Sequence, residues 1–329
     1  MFTDQGRIAW SHDLSSRGHA IAINPRRTEA AVLARRPGTF IVVVDLRTQA
    51  PIRQIESLAG RHFYGHGVYD PEGRLLYATE NDYEAGIGVI GIYDAADGYR
   101  RLGEFPSYGI GPHELKFLND GITLVVANGG IRTHPDTGRA KLNLADMQAN
   151  LTYVNATSGM FLDAYHLPKT LQQLSIRHIA VAAGDKVCIA MQYQGKTGQH
   201  PPLVATHQGQ ETLHLLSAPE PIQTAMRNYC GSVAIDTSGQ LCAVTSPRGG
   251  LITLWSMTDG QFLGSSTLVD CCGISAGEAA SEFLVTNGDG TVARLTPNNG
   301  GWTLAQVAKA PSIRWDNHLT TSDTVALKS

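Results

Sequence analysis

Five histidines recur along the chain, each at the start of a short apolar segment. They are His19, His66, His113, His178 and His318. The first three are spaced 47 residues apart, and the corresponding positions of two further segments carry Cys230 and either Cys271 or Cys272. Neutral imidazole and thiolate are ligands for zinc, copper and iron. If the segments superpose in the folded chain, these side chains face one axis and predict a transition-metal site (Fe, Cu or Zn) or a His-lined ligand pocket.

Charged residues lie beside three of these histidines. Glu114 follows His113 in the sequence, Arg177 precedes His178, and Asp316 lies two residues before His318; these charged side chains are predicted to orient the imidazoles or to contact a bound ligand. The structural alternative is that each histidine caps its strand or bonds to a neighbouring sheet. A shift of one residue reverses the face to which a strand residue points, so the five imidazoles need not all point inward.

A second candidate site lies in an insertion at about residues 131–151. Arg132 and His134, together with Arg139 and Lys141, give this segment a basic character that suits an anionic group. Loops on a rigid scaffold often carry function. We expect a loop that leads into a short helix capped by Asn143. The alternative is a solvated loop packed through its apolar side chains.

The elements that must position the histidines are short strands. Residues 61–69, 74–82, 89–94 and 99–105 are β-branched or aromatic segments separated by turn residues, and similar groups of four recur along the chain. A period in the forties with four strands per unit is typical of a β-propeller blade. Seven such openings predict an all-β, seven-bladed β-propeller with four-stranded blades, which forms a single domain over residues 1–329.

The last blade is predicted to combine both ends of the chain. Residues 315–320 supply its inner strand and residues 6–14 supply an outer strand. Pairing the two ends removes exposed sheet edges. The middle strands must come from residues 324–327 or from residues before Met1, so we expect this blade to be incomplete at the N-terminus.

Composition limits the class of protein. The 329 residues are 42% hydrophobic and 17% charged, with a net charge of -3, which argues against a nucleic-acid partner. No apolar segment reaches the roughly 18 residues that a membrane span requires. The five cysteines lack CxxC spacing, and their odd number fits no disulfide framework. Cys188 and Cys242 are flanked by apolar residues and are predicted to be buried thiols. The alternative, if the chain is exported, is that two of the five cysteines form one disulfide.

Several motifs together resemble a known bacterial family. They are Arg17-Gly18-His19, Phe63-Tyr64-Gly65-His66-Gly67, Gly109-Ile110-Gly111-Pro112-His113-Glu114-Leu115, Ser175-Ile176-Arg177-His178 and Trp315-Asp316-Asn317-His318. Over nearly its whole length the chain resembles the domain of unknown function 1513 (DUF1513) family. The resemblance implies a seven-bladed propeller that is usually exported to the periplasm. Genes of this family often lie beside imelysin-like and di-haem oxidoreductase-like genes, so the resemblance also implies a link to iron or redox handling. The N-terminus lacks the regions of a signal peptide, so a cytoplasmic location is expected if that N-terminus is genuine.

Three functions are consistent with these features. The first is a monomeric periplasmic binding or accessory protein that holds a metal ion or small ligand at a His-lined central mouth. The second is an enzyme, lactonase-like or redox-linked, with Glu114 and Asp316 as candidate acids or bases at the same mouth. The third is a scaffold that binds a periplasmic partner protein. We predict the first, and the convergence of the imidazoles is the geometric test.

Overall fold

The computed structural model describes residues 8–321, and within that range the chain forms six four-stranded antiparallel sheets. In each sheet the four strands follow one another in chain order. The connecting segments of the described range contain one α-helix, α1 (Glu220–Ala225), and the 3₁₀ turns Pro135–Thr137, Lys169–Leu171, Ala183–Asp185 and Pro247–Gly249. The predicted all-β repeat of four strands is therefore confirmed.

The chain divides into two compact units, of which the N-terminal unit comprises His12–Arg177. Its strands are β1 (Gly18–Ile23), β2 (Glu29–Ala34), β3 (Phe40–Asp45), β4 (Ala50–Glu56), β5 (Arg61–Tyr69), β6 (Leu75–Asp82), β7 (Ile87–Asp94), β8 (Arg100–Pro106), β9 (Pro112–Phe117), β10 (Thr123–Asn128), β11 (Asn150–Asn155) and β12 (Phe161–His166). Leu33, Phe63 and Leu76 are fully buried in the core that joins the first two sheets, and Leu124 lies in an equivalent core between the second and third sheets. The fourth strand of each sheet is largely exposed, so the first three strands hold the core.

The C-terminal unit comprises His178–Thr321 together with residues 8–11. Its strands are β13 (Leu174–Val181), which begins before the unit boundary, β14 (Val187–Tyr193), β15 (Val204–His207), β16 (His214–Leu216), β17 (Ser232–Ile235), β18 (Leu241–Ser246), β19 (Leu251–Ser256), β20 (Phe262–Thr267), β21 (Cys271–Ala276), β22 (Phe283–Asn287), β23 (Thr291–Asn298) and β24 (Gly301–Lys309). Ile252, Phe283 and Leu295 are fully buried between its last two sheets. The fourth strands of these two sheets, β20 and β24, contain no buried residue and lie outside this core.

The seventh predicted blade has no strand within the described residues. Of the predicted end strands, residues 9–14 and 315–320 lie in irregular backbone, and Ile8 forms only an isolated β-bridge. Residues 1–7 and 322–329 lie outside the described range, and the predicted strand at 324–327 lies there with them. The number of seven blades and the closure by both ends therefore stay predictions.

The insertion between β10 and β11 differs from its prediction. The expected helix after Asn143 is not formed, and residues 142–146 make turns instead. The Asn143 side chain does not cap a helix, because its amide donates to the Gly130 carbonyl at 2.9 Å and its Oδ1 accepts from the Arg132 backbone N–H at 2.7 Å. These bonds tie the two sides of the loop together. Met147 then fills the interior beneath it and is fully buried.

Candidate functional site

Three of the five predicted histidines lie together in the N-terminal unit. His19, His66 and His113 come from the first strands of its three sheets, β1, β5 and β9. One ring nitrogen from each lies within 4.8 Å of the corresponding nitrogens of the other two. The ring centroids are 4.9 Å apart for His19 and His66, 5.1 Å for His66 and His113, and 5.9 Å for His19 and His113. We name this group the histidine cluster.

Each histidine of the cluster lies in a β-bulge. In β1, Gly18 pairs with Ala34 of β2 and Ile21 pairs with Val32, so β1 has one more residue than β2 between these two pairs. His19 lies in this irregular part of the register. In β5 the irregularity lies between Phe63 and Gly67 and contains His66. In β9 the extra residue is His113 itself, because its two neighbours pair with consecutive residues of β10. A bulge changes the direction of a side chain on its strand, so three bulges turn the three imidazoles toward one another.

Gly65 allows the His19 ring to pack against β5. Its φ is +103°, which lies in the region that favours glycine. A Cβ at this position would lie 2.5 Å from His19 Cδ2 and 2.9 Å from His19 Cβ. Only glycine satisfies both conditions without moving the imidazole. The glycines on either side of His66 in the middle of a strand are the sequence signal for this bulge, because interior glycine marks a bulge or a close approach.

An acidic side chain lies behind the histidine cluster. Glu114 is buried, and its Oε1 lies 3.7 Å from His66 Nδ1 and 3.1 Å from Lys116 Nζ. The carboxylate therefore faces both an imidazole and an ammonium group. Glu114 was predicted to act beside His113, its neighbour in the sequence, but its side chain lies against His66. Lys116, which was not predicted, belongs to the same group and is identified only by the packing of β9.

The other two predicted metal ligands lie in the C-terminal unit. His178 is buried on β13, and the centroids of the His178 and His318 rings are 4.8 Å apart. The main chain at His318 lies against Gly273, where a Cβ would be 2.8 Å from the His318 carbonyl carbon. Asp316 is half-buried and accepts a hydrogen bond from the Asn317 N–H at 2.7 Å. Convergence of all five imidazoles on one point stays a prediction.

The basic insertion forms contacts of its own. The Arg132 guanidinium donates to the Ala85 carbonyl at 3.3 Å, and His134 Nε2 lies 3.6 Å from Glu84 Oε1. The His134 ring also packs edge-on against Tyr83, with centroids 5.0 Å apart. These two predicted ligand-binding residues therefore contact the turn between β6 and β7. They are not members of the histidine cluster.

Buried polar groups beside the insertion have perturbed acid–base properties. The pKa of His62 is lowered to about 4, chiefly by burial and to a smaller extent by the Arg36 charge, while the hydrogen bond to the Phe63 carbonyl opposes both effects. His62 is thus neutral at pH 7, with Nδ1 against the Phe63 carbonyl and Nε2 3.1 Å from the Asn81 amide. Burial also raises the pKa of Tyr64, and the charges of Arg36 and Arg177 act to lower it. Arg177, a predicted ligand contact, therefore acts electrostatically on Tyr64.

His207 is a further buried imidazole. It ends strand β15 and is almost fully buried. Its Nε2 lies 2.9 Å from the Gln210 carbonyl oxygen. The alternating segment Val204–His207 pairs with β14 on one side and β16 on the other, and this pairing buries the imidazole.

A family model described as a protein of unknown function, DUF1513, matches residues 12–322. This chain belongs to the DUF1513 family. Membership confirms the resemblance found in the motifs and assigns no activity. A comparison with the curated proteins finds no match.

Solved structures similar to this DUF1513 protein include propellers. The structure of U3-55K and the crystal structure of the RRP9 WD40 repeats each match with a TM-score of 0.67 and 9% identity, over 91% of this chain and 83% and 82% of theirs. A chain in the crystal structure of the Mitotic Checkpoint Complex matches with a TM-score of 0.65 and 11% identity, over 90% of this chain and 77% of that chain. At such identities the similarity shows the fold alone. The β-propeller fold is confirmed, and no helix among the described residues is long and apolar enough to cross a membrane.

Proposed function

We propose that this DUF1513 protein binds a divalent transition-metal ion through His19, His66 and His113. The observation that carries the proposal is the gathering of three imidazole nitrogens within 4.8 Å by three separate bulges. Bonds of about 2.0–2.1 Å to zinc place tetrahedral ligands about 3.3 Å apart, so small side-chain rotations suffice to close the site. Imidazole suits copper, zinc and iron, and we expect affinity to fall from Cu²⁺ to Zn²⁺ to Fe²⁺.

The carboxylate of Glu114 supports this proposal. Ligand histidines commonly place a carboxylate at the ring nitrogen opposite the metal, which fixes the ring and raises its basicity. Coordination through His66 Nε2 would put the Glu114 carboxylate, 3.7 Å from Nδ1, in that position. It would also offset part of the charge of a divalent ion held by neutral imidazoles. Lys116, 3.1 Å from the same carboxylate oxygen, would limit how far Glu114 could move.

Three protein ligands leave a fourth coordination position for water or a small anionic ligand. A site of this kind fits a binding or accessory role, which we place in the periplasm because the family resemblance implies export. The enzyme hypothesis has less support, since its two candidate acids or bases already have partners within the protein: Glu114 lies against His66 and Lys116, and Asp316 accepts a hydrogen bond from the Asn317 N–H. The metal-binding role is therefore the one that the geometry favours.

Metal titration of purified, chelator-treated protein tests the proposal. We expect one Zn²⁺ or Cu²⁺ per chain in competition with a chromogenic chelator. His66→Ala should weaken the affinity by at least about 100-fold, and Glu114→Gln by about tenfold. The matched controls are His134→Ala and Glu84→Gln, because this pair lies outside the histidine cluster and has a similar separation of 3.6 Å. An equal loss in both pairs, or no binding by the unaltered protein, would contradict the proposal.

A further inference from the structure

Two buried cysteines of the C-terminal unit lie in direct contact. Cys188 is on β14 and Cys242 on β18, the second strands of the fourth and fifth sheets. Both side chains are inaccessible to solvent, and their sulfur atoms are 2.6 Å apart. Non-bonded heavy atoms reach their optimal separation at about 3.5–4.0 Å. The two sulfurs are therefore closer than two thiols settle by packing alone, and approach the 2.03–2.05 Å of a disulfide bond.

The remaining three cysteines have other neighbours. Cys230 Sγ lies 3.8 Å from the Leu203 carbonyl oxygen, and Cys271 Sγ lies 3.3 Å from the Leu251 carbonyl oxygen. Cys272 Sγ lies 3.1 Å from the carbonyl oxygen of Asp270. These contacts are with backbone acceptors and not with another sulfur. The odd number of cysteines, which argued against a disulfide framework, thus leaves one close pair and three thiols.

We propose that Cys188 and Cys242 form a disulfide that joins β14 to β18 when the chain folds under oxidising conditions. The two thiols lose two protons and two electrons as the S–S bond forms. A small-molecule disulfide such as oxidised glutathione accepts the electrons and protons, and its own S–S bond breaks to give two thiols. This site is independent of the histidine cluster, so metal binding and disulfide formation can be tested separately.

Burial determines when this bond can form. Desolvation raises the pKa of Cys242 well above its usual value, and the neighbouring Cys188 raises it further. Exchange requires a thiolate, which is scarce in the folded protein. The bond must therefore form during folding or local opening, after which burial protects it from reductants. Oxidising compartments retain such bonds, whereas cytosolic reductants keep thiols reduced.

Thiol counting after refolding tests the proposal. The reduced, denatured protein is refolded with reduced and oxidised glutathione, denatured again and alkylated with iodoacetamide. We expect three alkylated cysteines and a mass about 2 Da lower than that of the reduced chain before alkylation, because formation of one disulfide removes two hydrogens. Alkylation of all five cysteines would overturn the proposal.

Peptide mapping identifies the pair. Tryptic cleavage should give a linked product of residues 187–196 and 228–248, since Lys186, Lys196, Arg227 and Arg248 define their ends. The second peptide contains both Cys230 and Cys242, and cleavage at Asp236 separates them. The link must stay with the half that contains Cys242. A link from Cys188 to any other cysteine would equally overturn the proposal.

Matched variants separate the bond from general effects of substitution. Cys242→Ser should leave four alkylated cysteines, whereas Cys230→Ser, at an equally buried position, should leave two. Oxidation should raise the Tm by about 5 °C in the unaltered protein and in Cys230→Ser, because the link closes a loop of more than 50 residues in the unfolded chain. Peptide mapping of the unaltered protein tests for the Cys188–Cys242 disulfide even where a variant fails to fold.

Discussion

The histidine cluster of the N-terminal unit and the buried cysteines of the C-terminal unit are both groups of potential metal ligands, yet their environments differ. In the histidine cluster a carboxylate and an ammonium group lie alongside, and His113 is only partly buried. The cysteines are buried among apolar residues, and burial raises the pKa of Cys230 and of Cys271 to about 12. Those two thiols therefore stay protonated at neutral pH.

The comparison shows that ligand chemistry depends on the protonation that the environment allows. An imidazole binds a metal as the neutral base, so a partly desolvated site suits it. A thiol must lose a proton before it binds a metal, and a low-dielectric interior opposes the resulting charge. In the sequence, residue type alone made both the histidines and the cysteines candidate metal ligands. Burial favours the histidines as a metal site and Cys188 and Cys242 as a redox pair.

The largest effect is expected when an acidic side chain is placed in each group. Cys230→Asp introduces a carboxyl group where desolvation is complete, and we expect it to lower the free energy of unfolding by about 4 kcal/mol at pH 7. His113→Asp, in a partly exposed bulge, should lower it by only about 1 kcal/mol. Urea denaturation of both variants measures the difference. Equal losses of unfolding free energy in the two variants would show that both positions are desolvated to the same extent.

The next largest effect is a change in stability with pH that arises from His62, a buried histidine outside the histidine cluster. His62 has a folded-state pKa of about 4, below the ordinary value of 6.5, so the unfolded chain binds its proton first as pH falls. Its contribution to stability is complete above pH 6.5 and is lost toward pH 4. We expect a decrease of about 3 kcal/mol between pH 7 and pH 4, estimated from the pKa difference.

Substitution isolates the contribution of His62. In His62→Gln this part of the pH dependence should disappear, whereas the exposed His214→Gln should retain it. Urea denaturation at several pH values provides the measurement. A His62→Gln profile parallel to that of the unaltered protein would show that another group is responsible.

The smallest expected effect concerns the glycine that supports the histidine cluster. Gly65→Ala combines a positive φ with contacts under 3 Å to His19, and we expect a loss of about 2 kcal/mol and a roughly tenfold lower metal affinity. Gly98→Ala is the matched control, because Gly98 also has a positive φ but no neighbour within 4 Å of a Cβ. It should lower stability by about 1 kcal/mol and leave metal affinity unchanged. An equal loss of metal affinity in Gly65→Ala and Gly98→Ala would show that Gly65 has no specific role in the metal site.

Most of the fold could be predicted from the sequence, because strand signals are local. Alternating apolar residues between glycine and polar turns placed β5–β8 to within a few residues of their observed bounds. The loop helix after Asn143 was predicted wrongly. In that loop, side-chain bonds to distant backbone groups replaced the helix cap. Such bonds have no local signature.

By itself the sequence determined the four-strand repeat, the family and the recurrence of histidine at the first strand of a sheet. Only the tertiary structure decided that His19, His66 and His113 meet and that Arg132 and His134 lie elsewhere. The same holds for the contact between Cys188 and Cys242, which are 54 residues apart. The physical reason is that strand periodicity is a local property, whereas side-chain direction depends on register. A bulge of one residue reverses that direction without changing the pattern of residues.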